Sequence, residues 1–180
     1  MTDIADRYAA IAAGFTARVQ GVHDWSLPSP CEGWVARDVV AHVVGNHRGI
    51  LATLDGTDPA QLQADEDIAD AWVHATGGIH AALLDPQRAA APVQSPFGEM
   101  PMEQMIGRLI TTDVLVHTWD LARATGQDES LDADAVAGAY AGLKPLDAML
   151  RAPGVFGPKL DTPEGADLQT EFLSFLGRAV

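Results

Sequence analysis

One predicted helical stripe near the middle of the chain limits most strongly what this sequence can fold into. Its positions recur at steps of 4, 3, 4, 4, 3 and 4 residues, which is the spacing of one buried helical face. The stripe consists of Met102, Ile106, Leu109, Asp113, His117, Asp120 and Ala124. Three ionisable side chains thus stand where a core-facing helix normally carries Leu or Ile. Because burial of an unpaired charge is costly, the stripe predicts that these groups pair with one another or hold a metal ion.

Apolar periodicity along the rest of the chain predicts an all-α protein. The predicted helices cover about residues 2–22, 35–54, 58–84, 101–125, 132–150 and 166–177. Pro145 is expected to kink the fifth of these helices, and Gly126 to end the fourth. We expect an up-down-up-down four-helix bundle with an additional C-terminal helix and short appendages, forming one domain over residues 1–180.

Proline and glycine mark the connecting stretches. The loop of residues 23–34 contains two prolines, one glycine and two tryptophans, so it is expected to pack down on the body of the protein. Gly77 and Gly78 are expected to kink or break the third helix. Residues 87–100 contain a turn signal at residues 96–98 and allow two short extended pieces. Residues 151–165, with three prolines and three glycines, indicate a surface excursion.

The charge and the cysteine content exclude several classes of function. The 11 Lys and Arg residues against 25 Asp and Glu residues give a net charge of −14. Nucleic acids and anionic membranes require a basic surface, so neither is expected as a partner. Cys31 is the only cysteine, which excludes an intramolecular disulfide and a Cys-rich zinc site. Because a signal peptide and any apolar run of roughly 18 residues are lacking, we expect a cytoplasmic protein.

Asp113 and His117 form the first candidate for chemistry. Residues four apart share one helical face with Cβ atoms roughly 5–6 Å apart, so both side chains can reach one ion. His42, near the apolar face of another predicted helix, would complete a set of two histidines and one carboxylate. Such a set suits Zn²⁺, Ni²⁺ or Fe²⁺ with open positions for water or substrate. Spacing alone also allows a buried, hydrogen-bonded Asp–His network inside the bundle.

Asp120 and His47 lie close to this set in sequence. Asp120 has three interpretations: a ligand in place of Asp113, an acceptor that orients an imidazole, or an ion-pair partner of Arg123. His47 follows His42 by five residues, which is about 500° around a helix. We therefore expect His47 at the rim of the pocket or on the surface.

The remaining candidates are assigned mainly to packing or to the surface. Trp34 and Trp119 each stand near a candidate ligand in sequence, so either could form a pocket wall, although a core position suits both better. Cys31 precedes a helix N-terminus that would favour a thiolate, but no base is evident beside it. The surface or loop histidines are expected to be His23, His74 and His80.

Three stretches of sequence together carry a family resemblance. The first is Trp25-x-x-Pro28-Ser29-Pro30-Cys31-Glu32-Gly33-Trp34-x-x-Arg37-Asp38-Val39-Val40-x-His42. The second is Asp113-x-x-x-His117-x-Trp119-Asp120-Leu121-Ala122-Arg123-Ala124-Thr125-Gly126, and the third is the ending Phe172-Leu173-x-Phe175-Leu176-Gly177-Arg178. They resemble the mycothiol-dependent maleylpyruvate isomerase N-terminal family of actinobacteria, which belongs to the DinB/YfiT-like superfamily of metal-binding four-helix bundles.

The resemblance implies a ligand set and a chemistry. Carried over, His42, Asp113 and His117 hold a divalent metal, typically zinc, with Asp113 standing where the isomerase has Glu. The implied role of the ion is to activate a low-molecular-weight thiol, such as mycothiol, as a metal-bound thiolate. The isomerase has a second, C-terminal domain, whereas this sequence ends at Val180, so maleylpyruvate isomerisation itself is not expected.

Two functions follow from the resemblance, and they differ in class. The first is a metal-dependent thiol transferase that conjugates a small-molecule thiol to an electrophile. The alternative is a non-catalytic metal-binding or ligand-binding protein of the stress response. A purely structural bundle with a buried polar trio remains the third reading. The bundle class also allows a homodimer, although the sequence contains no interface signal.

Overall fold

A computed structural model describes residues 4–95, 98–151 and 156–180 of the chain. The chain divides into two compact units, Met1–Glu129 and Ser130–Val180. The described residues are mainly helical, which confirms the predicted all-α bundle class, and one domain over residues 1–180 stays a prediction. The elements of the first unit are α1 (Ile4–Gln20), α2 (Ala36–Asp55), α3 (Ile68–Leu84), α4 (Pro86–Ala89), β1 (Pro92–Ser95), β2 (Gly98–Pro101), α5 (Met102–Met105) and α6 (Thr111–Thr125), with a π-helical stretch Ile106–Ile110 between the last two.

The four long helices of the first unit surround one apolar core. α1 packs on α3 and α6, and α2 packs on the same two helices, so the order around the bundle is α1, α3, α2, α6. α1 and α2 therefore face each other across the core, while α2 and α6 lie side by side. The largest fully buried side chains of these helices are Tyr8, Phe15, Ile68, Trp72, Ile79, Trp119 and Leu121. The bundle thus places the two helices that carry the candidate ligands in direct contact.

The π-helical stretch changes the register of the predicted stripe. The backbone amide of Thr111 donates to the carbonyl of Ile106, five residues earlier, and the Thr111 hydroxyl donates to the same oxygen at 2.8 Å. Ile110 is buried, whereas Leu109, which the stripe placed on the buried face, is half-buried. Leu109 leaves the buried face because a π turn holds one extra residue and so changes which side chains face the core.

α3 begins at Ile68, not near residue 58 as predicted. The Asp67 carboxylate caps this helix by accepting the backbone N–H of Ala69 at 2.8 Å and of Asp70 at 3.0 Å. The prediction was wrong because Asp58 and Pro59 resemble a helix start, whereas the polar residues after them offer no face to bury. The segment before Asp67 is a non-helical connection from α2.

The glycine pair in α3 does not break the helix, contrary to expectation. A Cβ atom at Gly78 would lie 2.7 Å from Cδ1 of Leu51 on α2. The absence of a Cβ atom at Gly78 therefore allows α2 to pack closely on α3.

The two extended pieces predicted within residues 87–100 are confirmed. β1 and β2 form an antiparallel hairpin in which Val93 pairs with Met100. Residues 96 and 97 of the predicted turn lie outside the described residues. Gly126, with a φ of 68°, ends α6 in the left-handed conformation, as predicted.

The second unit contains α7 (Ala133–Leu143), a 3-10 turn at Lys144–Leu146, α8 (Asp147–Leu150) and α9 (Leu168–Phe175). Pro145 divides the predicted fifth helix at the 3-10 turn, as expected. α7 packs on α9 through Tyr140, whose ring centroid lies 6.0 Å from that of Phe172 and 5.4 Å from that of Phe175. Of the predicted excursion at residues 151–165, residues 152–155 lie outside the described residues.

We find no candidate membrane-spanning helix among the described residues. None of their helices combines the length and the hydrophobicity that a span requires.

The helix cap at Asp67 can be tested by substitution. We expect Asp67→Ala to lower the free energy of unfolding by about 1 kcal/mol, because two amides at the start of α3 lose their acceptor. Asp65→Ala, two residues earlier and exposed, is the matched control and should change stability by less than about 0.5 kcal/mol. Urea unfolding measures both, and equal losses would contradict the assigned start of α3.

Candidate metal centre

The three predicted ligands lie close together, His42 on α2 and both Asp113 and His117 on α6. Oδ1 of Asp113 lies 3.5 Å from Nε2 of His42 and 3.4 Å from Nε2 of His117. One donor atom from each of these residues lies within 4.8 Å of the other two. His42 and Asp113 retain 35% and 23% of their side-chain exposure, so the cluster is reachable from solvent.

The spacing and the donor types fit a divalent ion. Zinc bonds of about 2.1 Å to nitrogen and oxygen in a tetrahedral site put neighbouring ligand atoms about 3.4 Å apart. The observed separations of 3.4 Å and 3.5 Å match that edge, and both exceed the usual range of an N–H···O hydrogen bond. Two imidazole nitrogens and one carboxylate oxygen also form a common catalytic ligand set.

Asp113 and His117 shift each other's pKa in opposite directions. Burial alone would raise the pKa of Asp113, but the charge of His117 beside it outweighs burial and holds this pKa well below its usual range. Burial alone would likewise lower the pKa of His117, but Asp113 and Asp120 raise it well above the usual value. Without a metal ion, both shifts favour an ionised Asp113 and a protonated His117. A metal ion must displace that proton, so its binding releases protons.

Asp120 contacts the far side of the His117 ring. Its Oδ2 atom lies 2.9 Å from Nδ1 of His117, and its side chain is fully buried. Arg123 pairs instead with Glu129, at 2.7 Å between Nε and Oε1. Of the three interpretations of Asp120, the geometry matches the acceptor that orients an imidazole: with Nδ1–H directed at Asp120, Nε2 is the ring nitrogen that faces Asp113 and that would bind a metal after releasing its proton.

A tight turn in the 23–34 loop adds two side chains to the centre. The backbone amide of Trp34 donates to the Cys31 carbonyl at 3.0 Å, and Gly33 between them has a φ of 77°. A turn of this kind requires a positive φ at its third residue, which favours glycine. The loop is non-helical, as predicted, and it is joined to the start of α2 by a bridge between Pro28 and Val35.

Trp34 forms one wall of the cluster, and Trp119 does not. The Trp34 ring centroid lies 5.1 Å from that of His42 and 6.0 Å from that of His117, with the His117 ring nearly parallel at 24°. Trp119 is fully buried in the bundle, and its Nε1 atom has no hydrogen-bond partner among the described residues. Its ring is covered by the Arg123 guanidinium at 4.7 Å. The two tryptophans thus divide between the pocket and the core.

Sequence reasoning weighed Cys31 without finding a partner for it and missed Asn46, and both residues contact the centre. The Cys31 thiol donates to Oδ2 of Asp120 at 3.4 Å, although the sequence showed no polar partner for it. Nδ2 of Asn46 lies 3.1 Å from Nε2 of His42 and 3.1 Å from Oδ2 of Asp113. The sequence could have indicated Asn46, because it follows His42 by one helical turn and so lies on the same face of the helix.

His47 lies in the core, so the expected position at the rim or on the surface is corrected. Its side chain has no exposed area; Nδ1 lies 2.7 Å from the Val43 carbonyl and Nε2 lies 2.8 Å from the Tyr8 hydroxyl. Tyr8 is also 2.8 Å from the Thr76 hydroxyl. The physical reason is that α2 is enclosed by α3, α6 and, across the core, α1. A residue about 140° away from His42 on such a helix still points into the protein.

The fold and this cluster define a class: a helical bundle whose neighbouring helices bring together candidate ligands for a divalent ion. The model of the mycothiol maleylpyruvate isomerase N-terminal domain family matches residues 8–122. The chain belongs to this family, which is part of the DinB-like superfamily. The matched range includes every residue of the cluster, all of α2 and α3, and most of α1 and α6.

Two mycobacterial relatives match nearly the whole chain. The uncharacterized proteins MT0763 and Rv0738 of Mycobacterium tuberculosis, strains CDC 1551 and H37Rv, are each 33% identical over 178 residues, which is 97% of this chain and 93% of each relative. No solved structure matches the chain significantly. The similarity to these relatives therefore continues past the family match into the second unit.

The buried His47 predicts a pH dependence of stability. Burial lowers the pKa of His47 to about 4, so the folded protein keeps this ring neutral while the unfolded chain protonates it below about 6.5. Its contribution is thus present above pH 6.5 and is lost as the pH falls towards 4. Relative to His47→Gln, the metal-free wild type should lose about 2 kcal/mol of unfolding free energy between about pH 7 and about pH 5.

Comparison with His47→Gln cancels the pH dependence that other titratable groups give to both proteins. The raised pKa of His117 makes its own contribution run the opposite way, present below about 6.5 and lost at higher pH, and both proteins share it. Urea unfolding in the presence of a chelator measures the difference. Parallel pH curves for the wild type and the variant would contradict a neutral, buried His47.

Proposed function

We propose that this protein binds one divalent metal ion through His42, Asp113 and His117 and uses it to transfer a low-molecular-weight thiol to an electrophile. Zn²⁺ is the expected ion, with Ni²⁺ and Fe²⁺ as candidates, because imidazole and carboxylate accept all three. The observation that supports the proposal most directly is the single oxygen, Oδ1 of Asp113, between the Nε2 atoms of both histidines at 3.5 Å and 3.4 Å.

The thiol belongs to the proposal because the name of the family includes mycothiol. A coordinated thiol is deprotonated by such an ion, which supplies a nucleophile at neutral pH. Three protein ligands leave a coordination position open, as catalytic zinc sites do. A metal site of this kind, rather than a protein side chain, would therefore activate the thiol.

The residues around the cluster have distinct parts in this proposal. Asp113 supplies the negative charge that offsets the ion, and Asp120 fixes the ring orientation of His117 through the 2.9 Å contact at Nδ1. The Trp34 indole, beside both histidines, provides an apolar surface for the carbon skeleton of a substrate. The half-exposed His42 marks the side from which a substrate would enter.

Metal content tests the binding part of the proposal. We expect the purified protein, reconstituted with Zn²⁺ and desalted, to keep one ion per chain, and His42→Ala and His117→Ala each to lose it, because two remaining donors hold an ion poorly. His74→Ala, an exposed histidine on α3, is the matched control and should keep the metal. Elemental analysis gives the stoichiometry. A wild type that refuses both Zn²⁺ and Ni²⁺ would sink the proposal.

Thiol transfer tests the catalytic part. The zinc form should accelerate conjugation of mycothiol to an aryl halide electrophile, and His42→Ala should lose at least about 100-fold in kcat/KM, since removal of the ion removes the activated nucleophile. The reaction is followed by loss of free thiol, with the His74→Ala protein as control. Bound metal without turnover for a panel of thiols and electrophiles would instead favour a non-catalytic ligand-binding protein.

A further inference from the structure

The two carboxylate oxygens of Asp113 have different partners. Oδ1 lies between the two histidines, 3.5 Å from Nε2 of His42 and 3.4 Å from Nε2 of His117. Oδ2 lies 3.1 Å from Nδ2 of Asn46. One oxygen is thus presented to the candidate metal position, while the other is engaged by a neutral side chain on the facing helix.

The orientation of the Asn46 amide follows from its neighbours. An ionised carboxylate only accepts hydrogen bonds, so the Asn46 atom facing Oδ2 must be the amide nitrogen, which donates. The same nitrogen lies 3.1 Å from Nε2 of His42, one helical turn earlier on α2. A donor at that distance requires a lone pair on Nε2, which is the tautomer of His42 that can bind a metal. Asn46 therefore favours the ligating state of two of the three candidate ligands.

We infer that Asn46 is a positioning residue that makes Asp113 a one-oxygen ligand and so keeps a coordination position free for the thiol. The inference rests on the proposed metal site. Carboxylates bind metals through one oxygen or through both. Without the Asn46 amide, nothing among the described contacts of Asp113 holds Oδ2 away from the ion. A second oxygen at the ion would fill the position that the thiol needs.

The cobalt-substituted protein provides the test, because the visible absorption of Co²⁺ is strong in four-coordinate sites and weakens as the coordination number rises. Asn46→Leu keeps the size of the side chain and removes the donor, and Asn46→Ser is a smaller second variant in case Asn46→Leu does not fold. Thr53→Val, on the same helix, is the control, because the Thr53 hydroxyl is exposed and donates to the Gly49 carbonyl at 2.9 Å, away from the candidate ligands. Circular dichroism of the metal-free proteins checks the fold.

We expect the wild type and Thr53→Val to give the intense four-coordinate spectrum and to shift on addition of a thiol. The Asn46 variants should give a weaker spectrum, a reduced shift with thiol and a metal affinity lower by roughly 10-fold or more. A loss of affinity alone, with an unchanged spectrum and an unchanged response to thiol, would overturn the inference, because a merely structural role predicts that result. A wild type that binds no cobalt would instead overturn the proposed metal site itself.

Discussion

The contact of Asp113 with two imidazoles is the interaction on which the centre depends. It joins α2 to α6 at the point where a bundle normally has apolar side chains. A partly buried carboxylate is tolerated here because the charge of His117 compensates it, which also keeps the pKa of Asp113 low. The packing of α2 on α6 fixes the distance between the histidines, so the bundle itself sets the geometry of the cluster.

A second layer of contacts holds that cluster in place. Asp120 fixes the His117 ring from behind, and the Cys31 thiol donates to the same Asp120 oxygen. Because Cys31 and Trp34 belong to one tight turn, the loop before α2 is connected to both sides of the cluster: the thiol reaches the buried carboxylate, and the indole covers the histidine rings. The loop is thus part of the centre rather than a mere connection.

Local periodicity was sufficient for the parts of this arrangement that lie within one helix. The four-residue step from Asp113 to His117 predicted a shared face, and the substitution of charged for apolar residues predicted that they would need partners. The π-helical stretch escaped prediction because its extra residue leaves no mark in the apolar spacing, so Leu109 was assigned to a face that Ile110 occupies. His47 was misplaced because the burial of α2 on several sides depends on its neighbours.

Contacts between distant residues were beyond the reach of spacing arguments. The Cys31–Asp120 contact joins residues 89 apart, and the Asn46–Asp113 contact joins residues 67 apart. Neither follows from a helical repeat, since each depends on how two helices or a loop and a helix pack. The choice of His42 as the third candidate ligand was an inference across helices as well, and there the family resemblance supplied the information that periodicity lacked.

The most direct measurement for the central claim is a crystal structure of the zinc-reconstituted protein, with anomalous diffraction recorded on both sides of the zinc absorption edge. The account predicts one anomalous peak per chain, bonded to Nε2 of His42, Oδ1 of Asp113 and Nε2 of His117, with bonds of about 2.1 Å. A fully loaded crystal with no peak at these atoms, or with the peak on other residues, would contradict it.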